Sequence, residues 1–276
     1  MVATRTVRVG DIAIGSGHPL VLIAGPCALE SESLALEVAA EAKAVADRLG
    51  LPFVFKSSYL KDNRLSHGSY AGPGLETGLP ILDRVRREVG VPVLSDVHAV
   101  DEVGPAAEVL DVIQIPAFLC RQTRLLTAAA RTGRPVNIKK GQFMAPEDMA
   151  RVAGKAEAVG NDRILLTERG VAFGYRNLVV DMAAIGVMRS AGYPVVFDAT
   201  HSVQRPGSAD GVTGGRPEFV PLLARSACAA GCDALFVETH PDPPSALSDA
   251  GSMIPLADLE TTVASARDVA AVVRRS

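Results

Sequence analysis

Residues 22–30 read LIAGPCALE, and this stretch separates two ways in which the chain could fold. It begins as a short apolar strand, but the turn after it lacks the Gly-x-Gly-x-x-Gly pattern that follows the first strand of an open nucleotide-binding sheet. Seven similar runs, rich in branched apolar residues, recur along the chain, and a helical stretch follows each one. They lie at 53–55, 91–94, 112–115, 136–138, 164–166, 195–197 and 235–237.

The segments between these runs repeat apolar residues at helical spacing, as in 33–43 and 147–153. Strands that are apolar on both faces and alternate with helices are typical of a parallel sheet covered by helices. Eight such units close on themselves, so the sequence predicts an α/β fold, a (β/α)8 TIM barrel. The alternative is an open doubly wound sheet, which usually has fewer strands. We expect the last helix to run from about 256 to 273.

The length of 276 residues falls in the range in which such a barrel forms one domain. The first dozen residues alternate on either side of a Gly10-Asp11 turn, and this pattern predicts a two-stranded hairpin. No linker-like tract divides the rest of the chain. We therefore expect a single barrel domain over residues 1–276, with residues 1–17 forming an N-terminal hairpin cap.

The composition excludes several classes of protein. Hydrophobic residues make up 48% and charged residues 21%, so the chain can bury a core and is not predominantly disordered. A net charge of -3 gives no overall attraction for nucleic acid or an anionic membrane. The longest apolar runs are far shorter than the roughly 18 residues of a membrane helix, and the N-terminus lacks the apolar region of a secretory signal. We expect a cytoplasmic protein with a small ligand and neither a nucleic-acid nor a membrane partner.

The active site of a (β/α)8 barrel lies at the C-terminal ends of its strands. Positively charged side chains follow strands two, five and six, and they would meet across the barrel mouth. Several fixed cations in one cleft indicate an anionic substrate, because Lys and Arg bind phosphate and carboxylate groups. For any single lysine, a structural ion pair with Glu168, Asp96 or Asp198 explains the sequence equally well. The cations are Lys56, Lys61, Arg64, Lys139, Lys140 and Arg169.

A second group of side chains could bind a metal ion. Cys27, His201 and Glu238 follow strands one, seven and eight, which become neighbours when the barrel closes, and Asp249 in the next loop could be a fourth ligand. A thiolate, an imidazole and two carboxylates suit Fe²⁺, Zn²⁺, Mn²⁺ or Co²⁺. The wide spacing is not a metal motif by itself, so the alternative is that Cys27 and His201 are packed core residues.

Longer motifs at the strand ends resemble those of the 3-deoxy-D-manno-octulosonate 8-phosphate synthase family over nearly the whole chain. They are GPC at 25–27, FKSS at 55–58, NR at 63–64, QIPAFLCRQT at 114–123, NIKKGQF at 137–143, TERGVAFGY at 167–175, DATHSVQ at 198–204 and ETHP at 238–241. The resemblance implies a transferase that condenses phosphoenolpyruvate with D-arabinose 5-phosphate and water and releases phosphate, in Kdo and lipopolysaccharide biosynthesis. It also implies a cytoplasmic homotetramer of barrels.

The resemblance also implies a role for individual residues. The catalytic residues would be Lys61, Asp96, Lys139, Arg169 and His201, and the three cations among them would hold phosphoenolpyruvate. The substrate-binding residues would be Lys56, Asn63, Arg64, Ser66, Gln114, Ala117, Phe118 and Arg121, of which the last would reach the sugar phosphate of a neighbouring subunit. The ligands of a divalent metal would be Cys27, His201, Glu238 and Asp249. Members of the family that need no metal carry Asn in place of the cysteine.

Two positions on the second βα loop depart from the family pattern. Leu65 replaces a serine, and Ala71 replaces an arginine that precedes Gly-Pro. The motifs therefore indicate phosphoenolpyruvate more specifically than they indicate the acceptor sugar. The first alternative is a synthase that acts on a different aldose phosphate.

Two further alternatives are a sister enzyme and a protein without catalytic activity. A 3-deoxy-heptulosonate 7-phosphate synthase typically has Lys-Pro-Arg-Thr where this chain reads KDNR at 61–64. A metabolite-binding barrel would not need both the metal ligands and the phosphoenolpyruvate cations. For the enzyme, we expect the loop 205–215 to close over the site and exclude water.

Overall fold

A computed structural model describes residues 2–63, 68–175, 177–209 and 212–275 of the chain. Eight parallel strands, β3–β8, β11 and β14, form a closed ring, in which β14 pairs with both β11 and β3. In chain order, the strands are β1 (Val7–Val9), β2 (Ile12–Ile14), β3 (Val21–Gly25), β4 (Phe53–Lys56), β5 (Val93–Asp96), β6 (Val112–Ile115), β7 (Val136–Lys139), β8 (Ile164–Glu168), β9 (Val171–Phe173), β10 (Asn177–Val179), β11 (Val195–Asp198), β12 (Gln204–Ala209), β13 (Val212–Gly215), β14 (Ala234–His240) and β15 (Ile254–Pro255).

A helix follows each of the eight barrel strands. The helices are α1 (Glu32–Leu49), α2 (Leu75–Glu88), α3 (Val103–Val109), α4 (Thr123–Arg131), α5 (Asp148–Glu157), α6 (Ala183–Ser190), α7 (Val220–Ala229) and α8 (Leu259–Arg275). The prediction of a (β/α)8 barrel is therefore confirmed. Among the helices described, none combines the length and the apolar character that a membrane crossing requires.

Local signals explain where the first helix begins and ends. The Ser31 hydroxyl accepts a hydrogen bond from the Leu34 backbone N–H at 3.1 Å, which caps the N-terminus of α1. Gly50 ends the helix in the left-handed region, with φ of 66°. Between these caps, the small residues Ala35, Ala39 and Ala42 are buried. Their size lets the helix approach the barrel strands closely.

The core has two layers, which the barrel wall separates. The outer layer lies between strands and helices, and the inner layer fills the barrel. Val7, Val9 and Ile14 of the N-terminal hairpin belong to the inner layer and are at most 1% exposed. The hairpin therefore closes the N-terminal end of the barrel and leaves the opposite end open. The inner residues from the barrel strands are Val21, Ile23, Val54, Leu94, Val112, Leu165, Val196, Ala234 and Phe236.

Two small antiparallel hairpins at the open end are additions to the predicted pattern. β9 pairs with β10, and β12 pairs with β13. The sequence at 205–215 is rich in glycine and predicts a loose loop, whereas the structure forms strands over most of it. Both hairpins follow the C-terminal end of a barrel strand, where the predicted site residues lie.

Candidate active site

The C-terminal strand ends surround a cavity of about 190 Å³. Most of the predicted catalytic and substrate-binding residues that the structure describes meet there, although they come from seven different parts of the chain. The predicted residues in its lining are Lys61, Asn63, Asp96, Ala117, Phe118, Lys139, Arg169, His201 and Asp249.

Other predicted residues lie away from the cavity lining or outside the described residues. Gln114 is buried and bonded to Asp96, and Arg121 is exposed on the surface. Arg64 and Ser66 fall outside the described residues, as does Leu65. Lys56 is buried, and its Nζ lies 2.5 Å from Glu238 Oε1.

Lys61 and Lys139 are buried cations at the cavity, each surrounded by negative charge. Lys139 Nζ lies 2.5 Å from Asp198 Oδ2 and 4.2 Å from the centre of the Phe236 ring. Burial by itself would lower the pKa of Lys61, but nearby acidic groups, including Glu238, raise the pKa above its ordinary value. Lys61 therefore remains positively charged over the physiological pH range.

Arg169 offers an unused hydrogen-bond donor at the same cavity. Its side chain is 4% exposed, and its Nη2 donates to Gln204 Oε1 at 2.7 Å. Its Nη1 is buried and has no hydrogen-bond partner within the described part of the chain. An unsatisfied donor on a buried charged group is costly, and an anion in the cavity would satisfy it. Burial also lowers the pKa of Arg169, although Asp198 acts in the opposite direction.

Four potential metal ligands converge beside these cations. Cys27, Glu238 and Asp249 each offer a donor atom, and these atoms lie within 4.8 Å of one another. His201 Nε2 lies 3.5 Å from Asp249 Oδ2 and 3.7 Å from Glu238 Oε2. Glu238 Oε2 is buried and accepts no hydrogen bond from the residues that the structure describes. The unsatisfied oxygen and the mixed sulfur, nitrogen and oxygen donors fit a divalent transition metal.

Groups behind these ligands hold them in place. Asp198 Oδ2 lies 2.7 Å from His201 Nδ1, which leaves Nε2 free to face Glu238 and Asp249. Burial would raise the pKa of Asp198, but His201 and Lys139 lower it well below its usual range. Asp198 is therefore a carboxylate at neutral pH, in the orientation that metal-binding histidines commonly need.

The Cys27 thiol is protonated when no metal is bound. Burial raises its pKa, and the carboxylates of Asp249 and Glu238 raise the pKa further. The Sγ atom lies 3.1 Å from Asp249 Oδ2 and 2.8 Å from Ser248 Oγ. Because a metal ligand must be the thiolate, metal binding at this site would release a proton.

A chain of hydrogen bonds fixes Asp96 from one strand to the next. The Ser58 hydroxyl donates to Asp96 Oδ2 at 2.6 Å, and Gln114 Nε2 donates to Asp96 Oδ1. Asn137 Nδ2 in turn donates to Gln114 Oε1 at 2.8 Å, and Thr167 Oγ1 donates to Asn137 Oδ1 at 2.6 Å. Gln114 therefore contributes to the site by orienting Asp96.

The cavity also contains residues that the sequence argument does not single out. His98 lines it with a side chain that is 6% exposed, and the described residues offer its Nδ1 no hydrogen-bond partner. Gln204 lines it and bonds to Arg169. Both follow a strand end by a few residues, and this position is the signal that could have identified them. Lys140, in contrast, is buried 3.5 Å from Glu168, as expected for a structural ion pair.

Residues 2–274 match the DAHP synthetase I family. The chain is 54% identical to the 2-dehydro-3-deoxyphosphooctonate aldolase of Trichlorobacter lovleyi, over 98% of this chain and 100% of the relative. It is 57% identical to the enzyme of the same name from Acidithiobacillus ferrooxidans, over 92% of this chain and 90% of the relative. That name is a synonym of the synthase that the strand-end motifs resemble. The chain belongs to the DAHP synthetase I family, together with the 2-dehydro-3-deoxyphosphooctonate aldolases.

Proposed function

We propose that the chain is a transferase that condenses phosphoenolpyruvate with D-arabinose 5-phosphate and water. The products are 3-deoxy-D-manno-octulosonate 8-phosphate and phosphate, in the biosynthesis of Kdo. Relatives with this activity in their name, matched at more than 50% identity over nearly their whole length, support the proposal. The observation that carries it is the buried Nη1 of Arg169, which finds no hydrogen-bond partner in residues 2–63, 68–175, 177–209 and 212–275, at a cavity that Lys61 and Lys139 also line.

Lys61, Lys139 and Arg169 bind the phosphate and carboxylate of phosphoenolpyruvate in this proposal. The three cations are held by the fold before substrate arrives, since each comes from a strand end or the loop after it. They orient the methylene carbon of phosphoenolpyruvate towards the aldehyde, and they stabilise negative charge without reorganisation. Gln204 positions Arg169 through the 2.7 Å hydrogen bond to its Nη2.

The reaction forms one carbon–carbon bond and one carbon–oxygen bond to the oxygen of water, and it breaks the carbon–oxygen bond of the phosphate ester, so that phosphate leaves with the ester oxygen. The methylene carbon attacks the aldehyde carbon, and water adds to the cationic carbon that carries the phosphate. The resulting hemiketal phosphate collapses to the ketone and inorganic phosphate. Lys61, Lys139 and Arg169 remain in contact with the anionic groups throughout this sequence.

The acceptor sugar lies beside Asn63, Asp96 and Phe118 in this proposal. The Ala71 carbonyl accepts the Lys61 backbone N–H at 2.7 Å, so the second βα loop folds back against the residue that binds phosphoenolpyruvate. Because Ala71 replaces an arginine in that loop, a second candidate is a synthase that acts on a different aldose phosphate.

Cys27, His201, Glu238 and Asp249 hold a divalent transition metal in this proposal, and Fe²⁺, Zn²⁺, Mn²⁺ and Co²⁺ fit the donor set. When bound, such a metal would polarise the aldehyde oxygen or lower the pKa of a water molecule. Lys56 fixes two of the ligands, because its Nζ contacts Glu238 Oε1 at 2.5 Å and donates to the Cys27 carbonyl at 3.0 Å.

The proposal includes a cytoplasmic homotetramer in which Arg121 reaches a neighbouring active site. Large aromatic side chains near the barrel mouth support an assembly. Phe118 is 54% exposed, Phe143 57% and Phe173 70%, and a neighbouring subunit would remove this apolar surface from water. The proposed domain is the whole chain, 1–276, with the hairpin of 1–17 as its cap.

The test is to measure phosphate release from phosphoenolpyruvate with arabinose 5-phosphate, erythrose 4-phosphate and ribose 5-phosphate in parallel. Each reaction is run with and without a chelator. We expect activity with arabinose 5-phosphate alone, lost on chelation and restored by a divalent metal. Preference for another sugar would favour the second candidate, and activity that resists chelation would contradict the metal site.

A further inference from the structure

A second charged pocket lies at the end of the barrel opposite the active site, with a volume of about 280 Å³. Arg8 contributes to it from strand β1 of the hairpin. Asp111, Arg134 and Arg163 contribute from positions at most two residues before β6, β7 and β8, which are adjacent strands. The pocket therefore lies at the seam between the hairpin and the N-terminal strand ends. We refer to these four residues as the arginine pocket.

The arginine pocket has an excess of positive charge. Three guanidinium groups share it with one carboxylate, in a chain whose net charge is -3. Asp111 Oδ2 accepts the Val93 backbone N–H at 2.9 Å, and Arg134 Nε donates to the Ala107 carbonyl at 2.9 Å. These bonds hold the two side chains in place and leave the terminal nitrogens of Arg134 for a ligand.

Some arginines on the surface are held in close ion pairs: Arg5 lies 2.5 Å from Glu157, and Arg48 lies 2.8 Å from Glu260. Within the ranges that the structure describes, no carboxylate oxygen lies within 4.0 Å of a side-chain nitrogen of the three pocket arginines. The Asp111 carboxylate offsets one of the three positive charges, so the pocket keeps an excess of two.

The backbone adds to the shape of this pocket. Gly133 adopts φ of 72°, and a Cβ at this position would lie 3.4 Å from Nη2 of Arg163. The Arg163 guanidinium therefore lies close against the turn that precedes β7. Arg134 follows Gly133 in the chain, so the two arginines line neighbouring parts of the pocket wall.

We propose that the arginine pocket is a binding site for a phosphate group. An excess of two positive charges matches a phosphate monoester dianion, and guanidinium groups bind phosphate oxygens in pairs. The ligand connects Arg8 on the hairpin with Arg134 and Arg163 on the barrel, so binding stabilises the closed N-terminal end. The phosphate is either inorganic or part of a phosphorylated metabolite. This proposal does not depend on the reaction at the barrel mouth.

The test is calorimetric titration of the full-length protein with inorganic phosphate and, separately, with ribose 5-phosphate, at 150 mM salt as a constant background on the order of physiological ionic strength. All proteins carry Arg169→Ala, which weakens phosphate binding at the barrel mouth. We expect Arg8→Gln and Arg163→Gln each to reduce the remaining phosphate affinity by about tenfold, the loss of one charge-assisted contact. The ligand that binds more tightly identifies the source of the phosphate.

Arg151→Gln is the matched control, because Arg151 is exposed on α5, away from the pocket, and pairs with Asp148 at 2.9 Å. Arg163→Lys keeps the charge and is expected to retain more of the affinity than Arg163→Gln. In the protein with Arg169 intact, Arg8→Gln and Arg163→Gln should leave phosphate release from phosphoenolpyruvate unchanged. Affinity that neither pocket variant alters, or that Arg151→Gln lowers equally, would overturn the proposal.

Discussion

Cys27 is the proposed metal ligand with the clearest test, because its thiol is protonated without a metal. We expect Cys27→Ala to lose bound metal and metal-dependent turnover while the barrel remains folded. The measurements are metal content by mass spectrometry, the Co²⁺–thiolate absorption band, and far-ultraviolet circular dichroism. The matched control is Cys120→Ala, which removes another fully buried thiol but lies outside the ligand cluster. A Cys27→Ala protein that keeps its metal and its chelator-sensitive activity would contradict the assignment.

Arg169 tests the proposed phosphoenolpyruvate site. Arg169→Ala removes a buried cation whose Nη1 has no hydrogen-bond partner among the residues that the structure describes. We expect the Michaelis constant for phosphoenolpyruvate to rise by a factor of roughly ten or more, since a charge-assisted hydrogen bond contributes about 1.5 to 3 kcal/mol. Steady-state kinetics at varied phosphoenolpyruvate measure this change. Unchanged kinetics would mean that the cation is structural.

The β12–β13 hairpin at the barrel mouth connects the proposed phosphoenolpyruvate site with the proposed metal site. β12 begins at Gln204, which contacts Arg169, and pairs through Gln204 with Gly215 at the end of β13. A Cβ on Gly215 would collide with the Gly251 carbonyl oxygen and lie 2.9 Å from Ser252 Cβ. The β12–β13 hairpin therefore packs directly against the loop that carries Asp249, a proposed metal ligand.

Gly215→Ala should therefore separate this hairpin from the Asp249 loop. We expect the displaced Asp249 carboxylate to weaken metal binding by roughly tenfold, which corresponds to a loss of about 1.4 kcal/mol of binding free energy. The loss in the free energy of unfolding should be smaller. Competition with a chromogenic chelator measures the metal affinity, and thermal unfolding measures the stability. Gly154→Ala in α5 is the control, because a Cβ there meets no atom within 4 Å. Wild-type metal affinity in Gly215→Ala would show that the contact is not needed.

The barrel elements could be predicted from the sequence because apolar strand runs and helical spacing repeat eight times. The β12–β13 hairpin could not be predicted, because its glycines and Pro206 are typical of a loop. Its strand pairing depends on contacts at the barrel mouth. The strand-end rule likewise placed Lys61 and Lys139 at one cavity. It could not show that Lys56 contacts Glu238, since side-chain direction depends on the exact register of each strand. His98 follows the end of β5 by two residues, but whether its side chain faces the cavity depends on the path of the turn between β5 and α3, which the sequence does not show.

The N-terminal hairpin and the barrel share one apolar core. Ile14 is 0% exposed and packs with the residues that fill the barrel, whereas Ile12 in the same strand is only partly buried. We expect Ile14→Ala to lower the free energy of unfolding by about 2 to 5 kcal/mol, because it leaves a cavity at the closed end. Ile12→Ala is the matched control and should cost less.

Urea unfolding, followed by circular dichroism and by the activity that remains, measures both variants. If residues 1–276 form one domain, the hairpin and the barrel unfold together, and Ile14→Ala shifts a single transition to lower urea without changing its slope. The active site lies at the opposite end, so activity below the transition should stay close to that of the unaltered protein. A contradicting result would be a separate transition at lower urea in Ile14→Ala, with the barrel transition unchanged. It would mean that the hairpin unfolds independently of the barrel, and that the packing of Val7 and Val9 in the barrel core does not couple the two.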